Sequence, residues 1–232
     1  TAWKELGQLP ARVQILEKQA VDDPKDEASL RGLLLIHQRF DGAITKADEA
    51  LGMLLQLKPA EPAYLAAGVD IARQKGEHER LVGFYEKLLA ADPRMAAGLM
   101  DPYLNGLKLM GKLERATPEL LKAAEKDASL RVAFLAQSGE LLLRSGRRED
   151  AVKVWDRMRM AVREGKKASE FLTAVVTLRR NGGVNEAWEL CSEALKLGAD
   201  APTLANLLLE GAEILDLLKK PEESDKLLRE IL

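Results

Sequence analysis

Small and apolar residues recur at helical spacing along the whole chain of 232 residues. They stand five and nine residues after each of a series of glycines, with Arg12 as the exception. Because residues four apart lie on one face of a helix, the pattern predicts an amphipathic helix after each glycine. The predicted buried positions are Leu16, Ala47, Leu51, Leu81, Tyr85, Ala116, Leu120, Ala151, Trp155, Ala187 and Cys191.

A second, mostly apolar segment ends just before each glycine. We call the helix predicted before a glycine helix A and the helix predicted after it helix B. The glycine is expected to end helix A as a left-handed cap. The glycines are spaced by 34 to 36 residues and are Gly7, Gly42, Gly76, Gly111, Gly146 and Gly182.

A proline follows three of these glycines at the same interval of 17 residues, at Pro24, Pro59 and Pro93. Each proline is predicted to open the next helix A. One such hairpin cannot bury its apolar face alone, so the pattern predicts hairpins stacked on their neighbours.

The copies resemble the tetratricopeptide repeat, a helix-turn-helix unit of about 34 residues. The residues that carry the resemblance are Leu135, Ser138, Gly139 and Leu142 for the first half of its pattern, and Leu81, Tyr85, Pro93, Ala151 and Trp155 for the second half. The resemblance implies an all-α fold, a right-handed α-α superhelix (a solenoid) of about six helical hairpins.

We expect residues 1–232 to form a single solenoid. The chain lacks an initiator Met and is expected to be a piece of a longer protein. The expected repeats are a truncated one at 1–23, then 25–59, 60–93, 94–127, 128–164, 167–199 and 200–232.

Two proline pairs interrupt the middle of the pattern. Asp101-Pro102 falls inside a helix A and Thr117-Pro118 falls inside a helix B. Because proline suits the first turn of a helix and disrupts its interior, both pairs predict a late helix start or a kink. The sharper alternative is a change of curvature that shapes a binding face.

Composition removes several functional classes. Aromatic residues are only 4% of the chain, and the net charge of -2 supplies no general attraction for nucleic acid or an anionic membrane. No apolar run reaches the roughly 20 residues that span a bilayer. The single cysteine, Cys191, excludes an internal disulfide and is expected to pack as a small hydrophobe.

No catalytic or metal signature stands out. His37 and His78 have no Cys, Asp or Glu cluster at metal-ligand spacing beside them, and no glycine-rich loop follows a strand. We therefore expect a protein that is not an enzyme and that uses no cofactor.

The resemblance implies that helix A lines a concave face, with positions six, three and two residues before each glycine pointing inward. The partner-binding candidates are Arg39, Asp70, Arg73, Asn105, Lys108, Glu140, Arg144, Arg179, Arg180 and Glu213. Cations in the last turn of a helix also complement its dipole, which is the structural alternative for the basic ones. The carboxylate clamp of chaperone-binding members is absent, because Gly32 and Ile36 occupy its first positions.

The predicted function is a non-enzymatic scaffold that binds a partner protein of unknown identity, with no nucleic acid and no membrane insertion expected. An alternative is an RNA-binding array, because the segment 182–198 looks like a pentatricopeptide repeat. Another is a regulatory domain of a larger enzyme. A competing protein surface is the convex side of helix B, at Lys87, Glu125 and Lys153. By family analogy we expect a soluble segment that recruits enzymes in exopolysaccharide export across a bacterial envelope. We expect this segment to lie in the periplasm, with the cytoplasm as the alternative location.

Overall fold

A computed structural model of the chain describes residues 7–40 and 42–229. These residues form α-helices joined by short turns, with one 3-10 turn at Leu113–Arg115 and no strand. The predicted all-α fold is therefore confirmed. The helices are α1 Leu9–Asp22, α2 Glu27–Arg39, α3 Ile44–Leu57, α4 Pro62–Lys75, α5 His78–Ala91, α6 Pro93–Ala97, α7 Met100–Leu109, α8 Ala116–Lys126, α9 Arg131–Arg144, α10 Arg148–Gly165, α11 Ala168–Arg180, α12 Val184–Ala194, α13 Ala201–Leu217 and α14 Pro221–Arg229.

The chain divides into two compact units, Thr1–Leu113 and Glu114–Leu232. In the first unit α2 packs on α3 and α4 packs on α5, and each pair is one hairpin. In the second unit the hairpins are α9 with α10, α11 with α12, and α13 with α14. The predicted repeat of helix A, glycine turn and helix B is therefore present in both units.

The repeat glycines share one backbone conformation. All six have a positive φ, between 66 and 86°. At Gly146 the N–H donates to the Leu143 carbonyl, and the next N–H, of Arg147, donates to the Leu142 carbonyl at 2.9 Å. This is the left-handed cap predicted for the end of helix A, and it satisfies carbonyls that the helix itself leaves unpaired.

Gly76, Gly111 and Gly182 show the same two hydrogen bonds, and one further cap of this kind was not visible in the sequence, because a lysine occupies it. Lys219 follows α13 with a φ of 60°. The next N–H, of Lys220, donates to the Leu215 carbonyl at 2.9 Å, as in the glycine caps. The left-handed cap is therefore retained at a position where lysine replaces the glycine that favours it.

The predicted stripe of helix B forms the interior of each hairpin. None of its residues is more than 6% exposed, from Leu16 in α1 to Cys191 in α12. The largest of them, Trp155, lies against Gly139 of α9, where an added Cβ would stand 2.1 Å from the indole Nε1. A second close crossing joins Gly68 of α4 to Phe84 of α5.

Both proline pairs delay a helix, as predicted. Ahead of Pro102 the helix A segment is broken into α6 and α7, and α7 begins at Met100. Ahead of Pro118 the 3-10 turn replaces the first turn of helix B, so that α8 begins at Ala116. Each proline then lies in the first turn of its helix, where its missing N–H leaves no hydrogen bond unmade.

Candidate functional site

Helix A occupies the more tightly packed side of the second unit. There α9 packs on α11 and α11 packs on α13, whereas the successive B helices do not pack on one another to a comparable extent. We call the surface formed by the A helices α9, α11 and α13 the helix-A face of this unit.

All ten candidate residues lie on A helices, on α2, α4, α7, α9, α11 and α13. Five of them belong to the first unit and five to the second. Within the first unit, the Arg73 guanidinium lies 3.1 Å from the Asp70 carboxylate on the same helix. This pair is local to α4 and leaves much of Arg73 exposed.

Arg179 and Glu213 are brought together by the structure. The Arg179 Nε donates to the Glu210 carboxylate at 2.6 Å, and its Nη1 lies 3.0 Å from the Glu213 carboxylate. Hydrogen bonding to Glu210 is the main cause that raises the pKa of Arg179 above its usual range. Because Arg179 is on α11 and both glutamates are on α13, these residues join neighbouring hairpins across the helix-A face.

The other candidate side chains have no such partner. They are exposed or half-buried, and they make no ion pair or hydrogen bond with another described residue through their side chains. They are Arg39, Asn105, Lys108, Glu140, Arg144 and Arg180.

Successive B helices are joined by ion pairs in both units. The two partners of each pair lie on B helices that follow one another along the chain; the carboxylate is on the earlier helix in three pairs and on the later helix in two. The pairs are Glu17 with Lys46 (2.8 Å), Asp48 with Arg80 (2.5 Å), Glu125 with Arg157 (3.5 Å), Glu189 with Arg159 (3.1 Å) and Glu193 with Arg163 (2.7 Å).

The most buried of these carboxylates belongs to Asp48. Arg80 donates to both of its oxygens, at 2.7 and 2.5 Å, and Lys75 donates to it at 2.6 Å. The hydrogen bonds from Arg80 are the main cause that lowers the pKa of Asp48 below its usual range. Asp48 therefore holds helix B of one hairpin to both helices of the next.

The competing convex positions differ from one another. Glu125 is engaged by Arg157 of the neighbouring hairpin, and the Lys153 ammonium lies 3.8 Å from Asp150 on its own helix. Lys87 is exposed and forms no ion pair with a described residue. Of the three, Lys87 alone resembles the unpaired candidates of helix A.

Cys191 is packed as expected. Its thiol is fully buried between α12 and α13, where Sγ donates to the Leu207 carbonyl at 3.3 Å. Burial raises the pKa of this thiol to about 12. The nucleophilic thiolate is therefore scarce at neutral pH.

The two histidines stand in different surroundings. His37 is buried in α2, and His78 is the half-buried first residue of α5. Among the described residues no three His, Cys, Asp or Glu side chains are grouped so that they could hold a metal ion. In the same part of the chain, every helix is too short or too polar to cross a lipid bilayer.

No protein-family model matches the chain, and no curated protein sequence is significantly similar to it. Several solved structures are similar to the chain. One, from a functional characterization of pilF of Pseudomonas aeruginosa, is 19% identical, covers 87% of this chain and 88% of its own, and has a TM-score of 0.46. BtubC (BKLC) from P. vanneervenii is 16% identical, covers 100% and 90%, and has a TM-score of 0.43. The apo form of the quorum sensor NprR from B. thuringiensis is 14% identical, covers 99% and 76%, and has a TM-score of 0.38.

Proposed function

We propose that this chain is a non-enzymatic scaffold that binds a partner protein, or an extended segment of one, along its helix-A face. The observation that carries the proposal is the set of polar side chains on helix A that have no hydrogen-bond or ion-pair partner among the described residues. Three of them, Glu140, Arg144 and Arg180, lie on α9 and α11, which pack on each other in the second unit. A partner that runs across successive A helices would meet both signs of charge, which favours one register over others.

The helix dipole explains only part of this pattern. It accounts for a cation in the last turn, such as Arg144 at the end of α9, with about 0.3–1 kcal/mol. Glu140 lies a full turn earlier, where the dipole has little effect, and its negative charge gains nothing from the end of a helix. Arg179 differs from the other cations of this face, because its guanidinium forms ion pairs with two glutamates of α13.

Charge reversal on the helix-A face tests the proposal. Arg144→Glu combined with Arg180→Glu should leave the fold intact, because exposed unpaired charges add little to stability. The affinity for a partner recovered by pull-down should fall at least about tenfold by titration calorimetry. Circular dichroism and melting of the variant provide the check that it is folded.

A matched reversal on helix B provides the control. Lys87→Glu combined with Lys153→Glu changes the net charge by the same amount, and it should leave the affinity unchanged. If this control loses the partner while the helix-A variant keeps it, the binding surface is the convex face and the proposal is wrong.

The finer part of the proposal concerns the cellular setting. We propose that the scaffold recruits enzymes in an exopolysaccharide export assembly of a bacterial envelope, on the periplasmic side. The resemblance to tetratricopeptide repeats supports this setting by family analogy. Pull-down with proteins encoded beside it is the test, and recovery of only cytoplasmic partners would contradict the setting while leaving the scaffold intact.

A further inference from the structure

A small cleft opens in the second unit where α10 meets the turn between α11 and α12. Its volume is about 150 Å³. One wall is formed by the turn, from Asn181 to Gly183, whose glycines place no side chain in the opening. The apolar part of the lining comes from Leu143, Val152, Trp155 and Leu178.

Val152 makes the cleft unusual for a surface feature. It is 47% exposed, although it is a large apolar residue, and it lies one turn from the buried Trp155 on the same helix. Single exposed aliphatic residues are common on protein surfaces. Val152 differs because it is part of an apolar lining that extends from the protein surface to the buried Trp155. The cleft can therefore remove a partner's apolar side chain from water.

The same edge of the second unit is rich in arginine. The Gly146 turn carries Arg144, Arg147 and Arg148, and the Gly182 turn carries Arg179 and Arg180. Asp150 pairs with Arg147 at 2.7 Å, and Arg179 is held by α13. The remaining three, of which Arg148 lines the cleft, form no ion pair with a described residue.

Three other arginines of this unit do form ion pairs between helices. Arg157, Arg159 and Arg163 each have a carboxylate partner on a neighbouring B helix, and Arg159 is also part of the cleft lining. The acidic residues that line the cleft, Asp156 and Glu186, form no ion pair with Arg144, Arg148 or Arg180. Asp156 pairs with Arg159 at 3.1 Å, and Glu186 lies in the first turn of α12, where a negative charge complements the helix dipole.

We propose that this cleft is a docking site for an acidic segment of a partner protein. One large apolar side chain of the segment, such as Leu, Met or Phe, enters the cleft between Val152 and Leu178. Carboxylates on either side of it meet Arg148 and the neighbouring Arg144 and Arg180. A cavity of this size holds a benzene-sized group, and one anchored side chain with a charged surround is a common form of binding hot spot.

The site lies on the turn edge of the hairpins and shares Arg144 and Arg180 with the helix-A face proposed above, whereas Arg148 and Val152 belong to the cleft alone. An extended partner on the helix-A face would be recognised by alternating charge. The turn-edge segment would be recognised by one apolar residue within a run of acids.

Peptide titration against the full chain tests the proposal. The probe is a short peptide of Glu and Ser with one central Leu, labelled with a fluorophore. Its Leu→Ala version removes the anchor, and a version with Lys in place of Glu removes the complementary charge. A fluorescent single-stranded oligonucleotide of similar length reports on binding by any polyanion. The indole N–H signal of Trp155, assigned by mutation, provides a local reading by NMR.

Two variants alter the cleft and two provide controls. Val152→Asp places a charge in its apolar mouth, and Arg148→Glu reverses its free cation. Met160→Asp is the control for the first, because Met160 is equally an exposed apolar residue of α10 but lies outside the cleft. Lys122→Glu is the control for the second, at an exposed position of α8 without an ion pair to a described residue.

The expected result is that the Leu peptide binds and shifts the Trp155 signal, and that both cleft variants weaken it at least about tenfold. Both controls should bind as the parent chain does. Equal binding of the Leu→Ala peptide would overturn the anchor. Equal losses in the controls, tighter binding of the oligonucleotide, or no binding of the Leu peptide would overturn the site. Because Val152 and Arg148 are not helix-A candidates, these two variants test the cleft separately from the helix-A face.

Discussion

Replacing Lys219 by glycine should stabilise the last hairpin. Lys219 has a φ of 60° in the same hydrogen-bonded cap that glycine forms elsewhere in the chain. A residue with a Cβ costs roughly 1–2 kcal/mol in this conformation. Glycine removes that strain but adds about 0.4–1 kcal/mol of chain entropy to the unfolded state. The net gain at this position is therefore about 0.5–1 kcal/mol relative to Lys219→Ala, which keeps the strain and removes the charge.

Hydrogen exchange of the backbone amides of α14 measures this gain directly, because α14 packs on α13 through this turn. Its protection should rise about two- to fivefold in Lys219→Gly over Lys219→Ala. Lys220→Gly is the matched control, since Lys220 is not among the residues of positive φ and should only lose protection. If Lys219→Gly protects α14 no better than Lys219→Ala, the left-handed strain argument is refuted.

Three further substitutions or treatments probe other parts of the chain. Gly139→Ala places a Cβ against Trp155 and should lower the free energy of unfolding by about 1–3 kcal/mol. Gly52→Ala is the control in α3: its Cβ meets nothing within 4 Å, and it should raise the free energy of unfolding by up to about 1 kcal/mol. Asp48→Asn should destabilise at neutral pH. Because the folded pKa of Asp48 is lowered, its contribution is present above the unfolded pKa of about 3.9 and lost as the pH falls through the folded value. The melting temperatures of the parent and Asp48→Asn should thus converge in acid, and a constant difference would contradict this role. Cys191 should react with a thiol reagent only in denaturant; rapid reaction in the native state would contradict its burial.

The repeated backbone could be predicted because each of its requirements is local. A helix end with a left-handed cap favours glycine, and a buried helix stripe needs apolar residues at a spacing of four. In each copy the cap glycine and the apolar residues of the stripe lie within one short stretch of sequence, such as Gly146 to Trp155. The same reasoning misses Lys219, because a lysine there adopts the glycine conformation without the residue type that signals it.

The ion pairs between hairpins could not be predicted in the same way. Asp48 and Arg80 are 32 residues apart, and Arg163 and Glu193 are 30 residues apart. Periodicity places both partners on helix B but does not say which of many exposed charges will meet. That choice depends on the offset between stacked helices, which side-chain packing sets. For the same reason, the sequence names Arg179 as a binding candidate but does not show that α13 brings two glutamates to it.

The positions that vary most between copies are the ones that the fold leaves unconstrained. Six residues before the glycine, the chain carries Ile36, Asp70, Asn105, Glu140 and Val176, although all five lie at the same place on helix A. Neither the cap nor the buried stripe requires a particular residue at this position. Ile36 is the exception, because its side chain is buried. Within each unit, successive A helices thus present equivalent positions with unlike chemistry. A partner that spans several hairpins can be distinguished by its order of charges, because a shift by one hairpin places each group against a different side chain.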